Sequence, residues 1–261
     1  MVPDFSQINL TVAGNALGQA FFSLSLGMGM LITYGSYIDD KNNIISSATL
    51  ITLTDVGIAF LAGLIIFPFV FSSGIETEGG PGLIFQVFPQ IFENLGGING
   101  IIVGSTFFIL LSFAAITSTV SLLEVPVSYL VDEYKIERKF SVWIVALVIL
   151  LIGIPSAYSQ GKSELFTNFI IYFGADKPID FMQFIIDVSN DTLLPFGGFL
   201  ITIYVAYVWK KNNLSDEISK GNPYYKGSFM EKYINFSVTF ICPLILGSIF
   251  LLTFLNKFFG I

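Results

Sequence analysis

A helix that crosses a bilayer needs roughly 20 mainly apolar residues, and this sequence offers six such stretches. They fall at about 8–37, 44–71, 100–131, 140–159, 180–209 and 233–257. Within hydrocarbon every backbone amide and carbonyl has to be bonded internally, so only helices and closed barrels span a membrane. Runs of this length are helical. The expected fold class is therefore all-α integral membrane, with residues 1–261 forming a single transmembrane bundle of about six helices. The first, third and fifth stretches are longer than a bilayer requires and have to tilt, break or project into water. Charged residues make up 12% of the chain, against roughly 25% in soluble domains, which excludes a soluble helical domain of this length.

The connections have their own character. Residues 72–99 carry Glu76, Glu78, Glu93 and two glycine-rich turns around the short apolar run Leu83–Phe92. This reads as a structured loop with an interfacial or re-entrant helix. One set of connections holds Lys41, Lys135, Arg138, Lys139, Lys210, Lys211, Lys220, Lys226 and Lys232; the opposite set holds Lys162, Lys177 and Lys257. Lysine and arginine concentrate on the cytoplasmic side. The structured loop and both termini are thus expected outside. Met1-Val2-Pro3-Asp4-Phe5 lacks the basic start and apolar run of a signal peptide. An outside N-terminus without a leader is natural if an odd number of helices precedes this sequence.

Composition also excludes chemistries. Histidine is absent and Cys242 is the single cysteine. Zinc and iron sites of ordinary type need those ligands, and histidine-dependent nucleophilic catalysis falls with them, so no enzyme is expected. Any bound ion is a hard cation held by oxygens. No basic patch interleaved with aromatics supports nucleic-acid binding.

Four places carry polar chemistry at membrane depth. Gln19–Gly29 places Ser23, Ser25, Gly27 and Gly29 mid-span. Each glycine weakens a helix by about 1 kcal/mol relative to alanine. Such a run marks either a broken helix lining a cavity or close helix packing. Asp55 sits near the middle of the second stretch, where insertion costs roughly 3 kcal/mol. No lysine or arginine lies at comparable depth. Its partner is a cation, a proton or a neighbouring helix. Ala114, Thr117 and Ser118 share one helix face by their i, i+3, i+4 spacing, which Leu122 extends. Their oxygens suit a small hard cation, or the hydroxyls bond back to their own helix. Glu124, nearer the cytoplasmic end, has no assigned role.

At these residues the chain resembles the neurotransmitter:sodium symporter family, in particular its bacterial amino-acid transporters with the LeuT-type inverted-repeat fold. The segments that carry the resemblance are Gln19–Gly29, Ile32-Thr-Tyr-Gly-Ser-Tyr37, Leu111–Ser118 and Asp132-Glu-Tyr-Lys135. The resemblance covers essentially the whole chain as the second repeat, the sixth to tenth helices, plus the eleventh. The first five helices lie outside it. It implies sodium-coupled amino-acid symport by alternating access across the plasma membrane, that of a bacterial inner membrane.

Residue by residue, the first sodium site falls on Ser23 and Asp55, and the second on Ala114, Thr117 and Ser118. The substrate pocket falls on Phe22, Ser23, Ser25, Met28, Ser118 and Leu122. Phe22 caps it, Ser25 offers backbone groups to the amine, and Met28 with Leu122 favours an apolar side chain. Each sodium site is incomplete without the first helix. The family often has asparagine where Asp55 stands; its carboxylate supplies the charge that makes chloride unnecessary. Tyr37, Asp132 and Asp187 fall on the family's gates. Asp187 and Asp132 then pair with arginines of the missing half, and neither has a partner in this chain. The implied partners are an amino-acid substrate, the lipid bilayer and an N-terminal five-helix half, in the same or a separate chain. The alternatives are a half-size transporter that dimerises or pairs with a separately encoded first half, and a non-transporting binding or regulatory subunit or inactive fragment of the same fold.

Overall fold

The computed structural model describes residues 10–72, 83–174 and 177–260. Five helices among them are long and apolar enough to cross a membrane: Ile44–Pro68, Gly97–Tyr134, Arg138–Tyr158, Phe181–Gly221 and Phe229–Phe259. The first expected span is not continuous. Helix α1 (Leu10–Ser23) and the short helix α2 (Met30–Gly35) are separated by an unwound stretch. Helix α3 covers Ile44–Ser72. A π-helical turn at Leu83–Val87 leads into helix α4 (Phe88–Asn94). Helix α5 covers Gly97–Tyr134 and helix α6 Arg138–Tyr158. The short helix α7 (Glu164–Thr167) follows. No strand is formed among the described residues.

The two long spans that follow are interrupted. One comprises α8 (Phe181–Ile186), a π segment Asp187–Leu193, α9 (Leu194–Ile203), a second π segment Tyr204–Lys210 and α10 (Lys211–Gly221). The other comprises α11 (Phe229–Phe236), a π turn Ser237–Ile241 and α12 (Cys242–Phe259). Two of these segments run into a proline, Pro195 and Pro243. Proline has no N–H to give the carbonyl four residues back, and its ring crowds that carbonyl. The helix widens to a π turn instead. The carbonyl four residues before Pro243 belongs to Thr239, and the Tyr207 hydroxyl donates to it at 3.1 Å. A proline in one long span is thus answered by a tyrosine of the other.

The chain forms two compact units, residues 1–47 with 123–261, and residues 48–122. In the first, α9 packs along α12, and Leu194, Leu246 and Ile249 are buried. Tyr225 and Ile218 close the end that carries α10. In the second, Val70, Val87, Phe88 and Ile91 form a cluster flanked by Phe92 and Phe107. The Phe88 and Phe107 rings meet edge to face at 5.0 Å. Gly100 makes this packing possible, since a side chain there would run into the Phe92 carbonyl. Elsewhere in that unit the spans are bare: none of the most apolar window of α3 is buried. A lipid-facing surface gains nothing from hiding leucines.

Candidate transport site

The helix break between α1 and α2 begins where the sequence loses its helix formers. Ser25, Gly27 and Gly29 all take left-handed backbone, with φ of 55°, 78° and 80°. The two glycines adopt it without steric cost; Ser25 does not. Ser25 N–H bonds the Phe22 carbonyl at 3.0 Å and Leu26 N–H the Phe21 carbonyl at 2.9 Å, which closes the last turn of α1. In the next segment the Thr33 hydroxyl bonds back to the Gly29 carbonyl at 3.2 Å.

The break is clamped against α9. A Cβ on Gly27 would run into the Leu194 carbonyl, and one on Gly197 would lie 2.7 Å from the Gly27 carbonyl. Backbone therefore meets backbone at both glycines. Phe22, Ser23, Ser25 and Met28, the expected pocket residues of this unit, lie on the last turn of α1 and in the break. Phe22 and Ser23 are exposed, Ser25 and Met28 half-buried.

In the other unit, Asp55 lies half-buried midway along α3. Ala114, Thr117, Ser118 and Leu122 share an exposed face of α5. The helix is continuous through Ala114, so its carbonyl is not set free by a break. The Thr117 hydroxyl donates to it at 2.9 Å, and Ser121 donates to the Thr117 carbonyl at 3.0 Å. The back-bonded arrangement holds here, yet it gathers the Ala114 carbonyl and Thr117 Oγ1 on one exposed edge. The hydroxyl spends its proton and keeps its lone pairs.

Tyr37, one of the expected gate residues, donates to Glu124 Oε1 at 2.9 Å; Asp132, another, is exposed near the end of α5. Arg138 clasps both Glu124 oxygens, at 3.0 and 2.6 Å. This fork-to-fork geometry is the strong form of a charged pair.

Asp187 is 2% exposed. Tyr172 donates to Oδ2 at 3.1 Å and Gln183 to Oδ1 at 2.7 Å. A backbone bridge between Ile170 and Ile179 holds the Tyr172 segment near α8. Burial, then the Asp187 carboxylate, push the Tyr172 phenol well above its usual range, so it stays a donor. Contrary to expectation, Asp187 also finds a cation within the chain: Lys257 of α12 pairs with it and with Asp191 at 2.5 Å. Asp191 and Lys257 lie at one end of a cavity of about 720 Å³ between α1, the Asp187–Leu193 segment and α12. Leu17, Phe22, Ile245 and Leu252 make its apolar wall.

The chain matches the model of the sodium:neurotransmitter symporter family over residues 1–258. It belongs to that family. Over 96% of its length it is 35% identical to the sodium-dependent transporter YhdH of Bacillus subtilis, and covers 53% of that protein. The sodium-dependent serotonin transporter of Drosophila melanogaster is 29% identical over 71% of the chain and 31% of its own length. The crystal structure of MhsT in complex with L-phenylalanine superposes with a TM-score of 0.83 at 37% identity, over 95% of this chain and 54% of that one.

The chain thus spans about half the length of the bacterial relatives it matches. The fold is that of the LeuT-type transporters, as in MhsT. Members of the sodium:neurotransmitter symporter family are multi-pass membrane transporters, not enzymes, and sodium belongs to the family's chemistry. Two ion-pair partners escaped the sequence reading, Arg138 for Glu124 and Lys257 for Asp187. Lys257 carried a signal that went unused: it is a lone lysine in the last turn of an apolar helix, where an unpaired charge is costly.

Proposed function

We propose that this chain forms the C-terminal half of a sodium-coupled symporter for an apolar amino acid, working by alternating access. The observation that supports it best is the helix break at Ser25–Gly29, pressed backbone to backbone on α9. Unwound backbone at membrane depth exposes amides and carbonyls, and in transporters of this architecture such breaks line the substrate site. Phe22, Ser23, Ser25, Met28, Ser118 and Leu122 line the substrate pocket. Ser23 and Asp55 ligate one sodium; Ala114, Thr117 and Ser118 ligate a second. The rest of each set comes from an N-terminal five-helix half. Asp187 belongs to the outer gate, where an arginine of that half meets it, and Tyr37 and Asp132 to the inner one. The side carrying Lys210, Lys211 and Lys232 faces the cytoplasm. L-Phenylalanine bound to MhsT is consistent with an apolar substrate here.

The test is uptake by the completed transporter. The chain is joined to the coding sequence upstream of Met1, or co-expressed with the first half of the Bacillus relative. Proteoliposomes then receive radiolabelled leucine or phenylalanine under an inward sodium gradient. Uptake should collapse when potassium replaces sodium and in T117A/S118A. It should persist when gluconate replaces chloride, because Asp55 supplies the negative charge. Sodium-independent uptake would overturn the coupling, and loss in gluconate would overturn the role of Asp55.

A further inference from the structure

Asp187 and Asp191 stand one turn apart on the π segment that follows α8, and a single lysine serves both. Their surroundings differ. Asp187 is buried, with Tyr172, Gln183 and Lys257 donating to its two oxygens. Asp191 keeps 36% of its side chain exposed and lines the cavity. A buried carboxylate stripped of its cation is expensive in any protein, and more so where hydrocarbon is the solvent.

We propose that Lys257 is a positioning residue of the outer gate, the resident counter-ion that keeps Asp187 paired and aimed while the gate's other partner is away. This rests on the reading of Asp187 as a gate carboxylate. One lysine against two aspartates leaves a single negative charge uncompensated. It lies at the exposed Asp191 edge, beside the cavity. The triad therefore takes one further cationic group, a guanidinium supplied by the N-terminal half, without Asp187 passing through an unpaired state. Lys257 comes from α12, an element outside the five-helix repeat that holds Asp187, so it ties the eleventh helix to the gate.

The end of α12 offers a plainer role. A lysine in the last helical turn offsets the helix dipole, and then the identity of residue 187 is immaterial to it. Two measurements on the full chain separate these. In detergent, with Cys242 as the reporter thiol, K257M should lower the unfolding midpoint by on the order of 10 °C. K257R should retain most of the stability, and D187N added to K257M should restore more than half of it. If K257M unfolds as wild type does, or if K257M/D187N is no better than K257M, even with neither folding, the proposal is overturned.

The second measurement uses intact membranes and the C242S background. K257C should react at least tenfold faster with the cationic 2-aminoethyl methanethiosulfonate than with the anionic sulfonatoethyl reagent. That ratio should fall severalfold in K257C/D187N. The aminoethyl adduct, which restores a cation on an arm one atom longer than lysine's, should recover stability where the neutral methyl adduct does not. A ratio unmoved by D187N, or equal rescue by the two adducts, overturns the proposal. The gate reading fails differently: D187N transporting normally in the completed protein would sink it while leaving the ion triad intact.

Discussion

Glu124 shows how much of a fold's polar chemistry resides in pairs that a sequence does not display. It is a lone carboxylate near the end of a long apolar helix, and by itself it admits several roles. Its partners are Arg138, across the turn between α5 and α6, and Tyr37, eighty-seven residues away. The first lies within reach of a local argument; the second needs the fold. Lys257 and Asp187 are seventy residues apart and equally hidden. By contrast the glycines at 27 and 29 flagged this stretch locally, as a break or as a close packing contact, and the structure shows both. The Glu124 pair is open to a direct test. Arg138 grips two oxygens at once, and lysine offers a point charge to one of them. Much of Arg138 faces solvent, so the loss is small. R138K should cost about 0.5–1 kcal/mol, a fall of about 2 °C in the unfolding midpoint of the chain. A drop several times larger would mean that the arginine carries packing that the geometry does not reveal.

At the scale of elements, hydropathy located the spans but not their interruptions. The five long helices fall where apolar length places them, and the sixth candidate divides at its glycines. The π segments were harder to read: prolines mark two of them, Asp187–Leu193 and Ser237–Ile241, and none marks Tyr204–Lys210. Nor does the sequence show that Tyr207 answers Thr239. The packing of the break on α9 was likewise invisible, because Gly197 and Gly198 look the same whether they face lipid or backbone. It yields a contrast within one segment. Gly18 of α1 has nothing near its missing side chain, whereas a methyl on Gly27 would strike the Leu194 carbonyl and would have to adopt φ of 78°. The left-handed conformation costs roughly 1–2 kcal/mol for a residue with a Cβ, and overpacking typically adds 1–3 kcal/mol. G27A should therefore lose on the order of 3 kcal/mol. G18A should be neutral or gain up to about 1 kcal/mol from helix propensity. Thermal unfolding of the two variants side by side decides it: equal midpoints would mean that the break is not held against α9.

For the molecule as a whole, the question is what a chain spanning about half the length of its relatives can bind. Each proposed sodium set draws two or three oxygens from this chain, and a hard monovalent cation sheds its water only for a fuller shell. The exposed edge at Ala114 and Thr117 competes poorly with solvent, since the Thr117 proton already satisfies the Ala114 carbonyl. The same reasoning applies to Asp55, whose carboxylate alone does not replace a hydration shell. Sodium should then leave the stability of the chain by itself unchanged: unfolding midpoints in sodium and potassium chloride at equal ionic strength should coincide. Once the N-terminal half completes the sites, binding is linked to folding, and a ligand at a hundredfold excess over its dissociation constant stabilises by about 2.7 kcal/mol. The midpoint of the completed protein should rise in sodium but not in potassium, and T117A/S118A should erase part of the rise. A sodium-specific shift in the chain alone would mean that it already closes a site, either from its own oxygens or by pairing with a second copy. A concentration series would separate these, because only the paired form weakens on dilution.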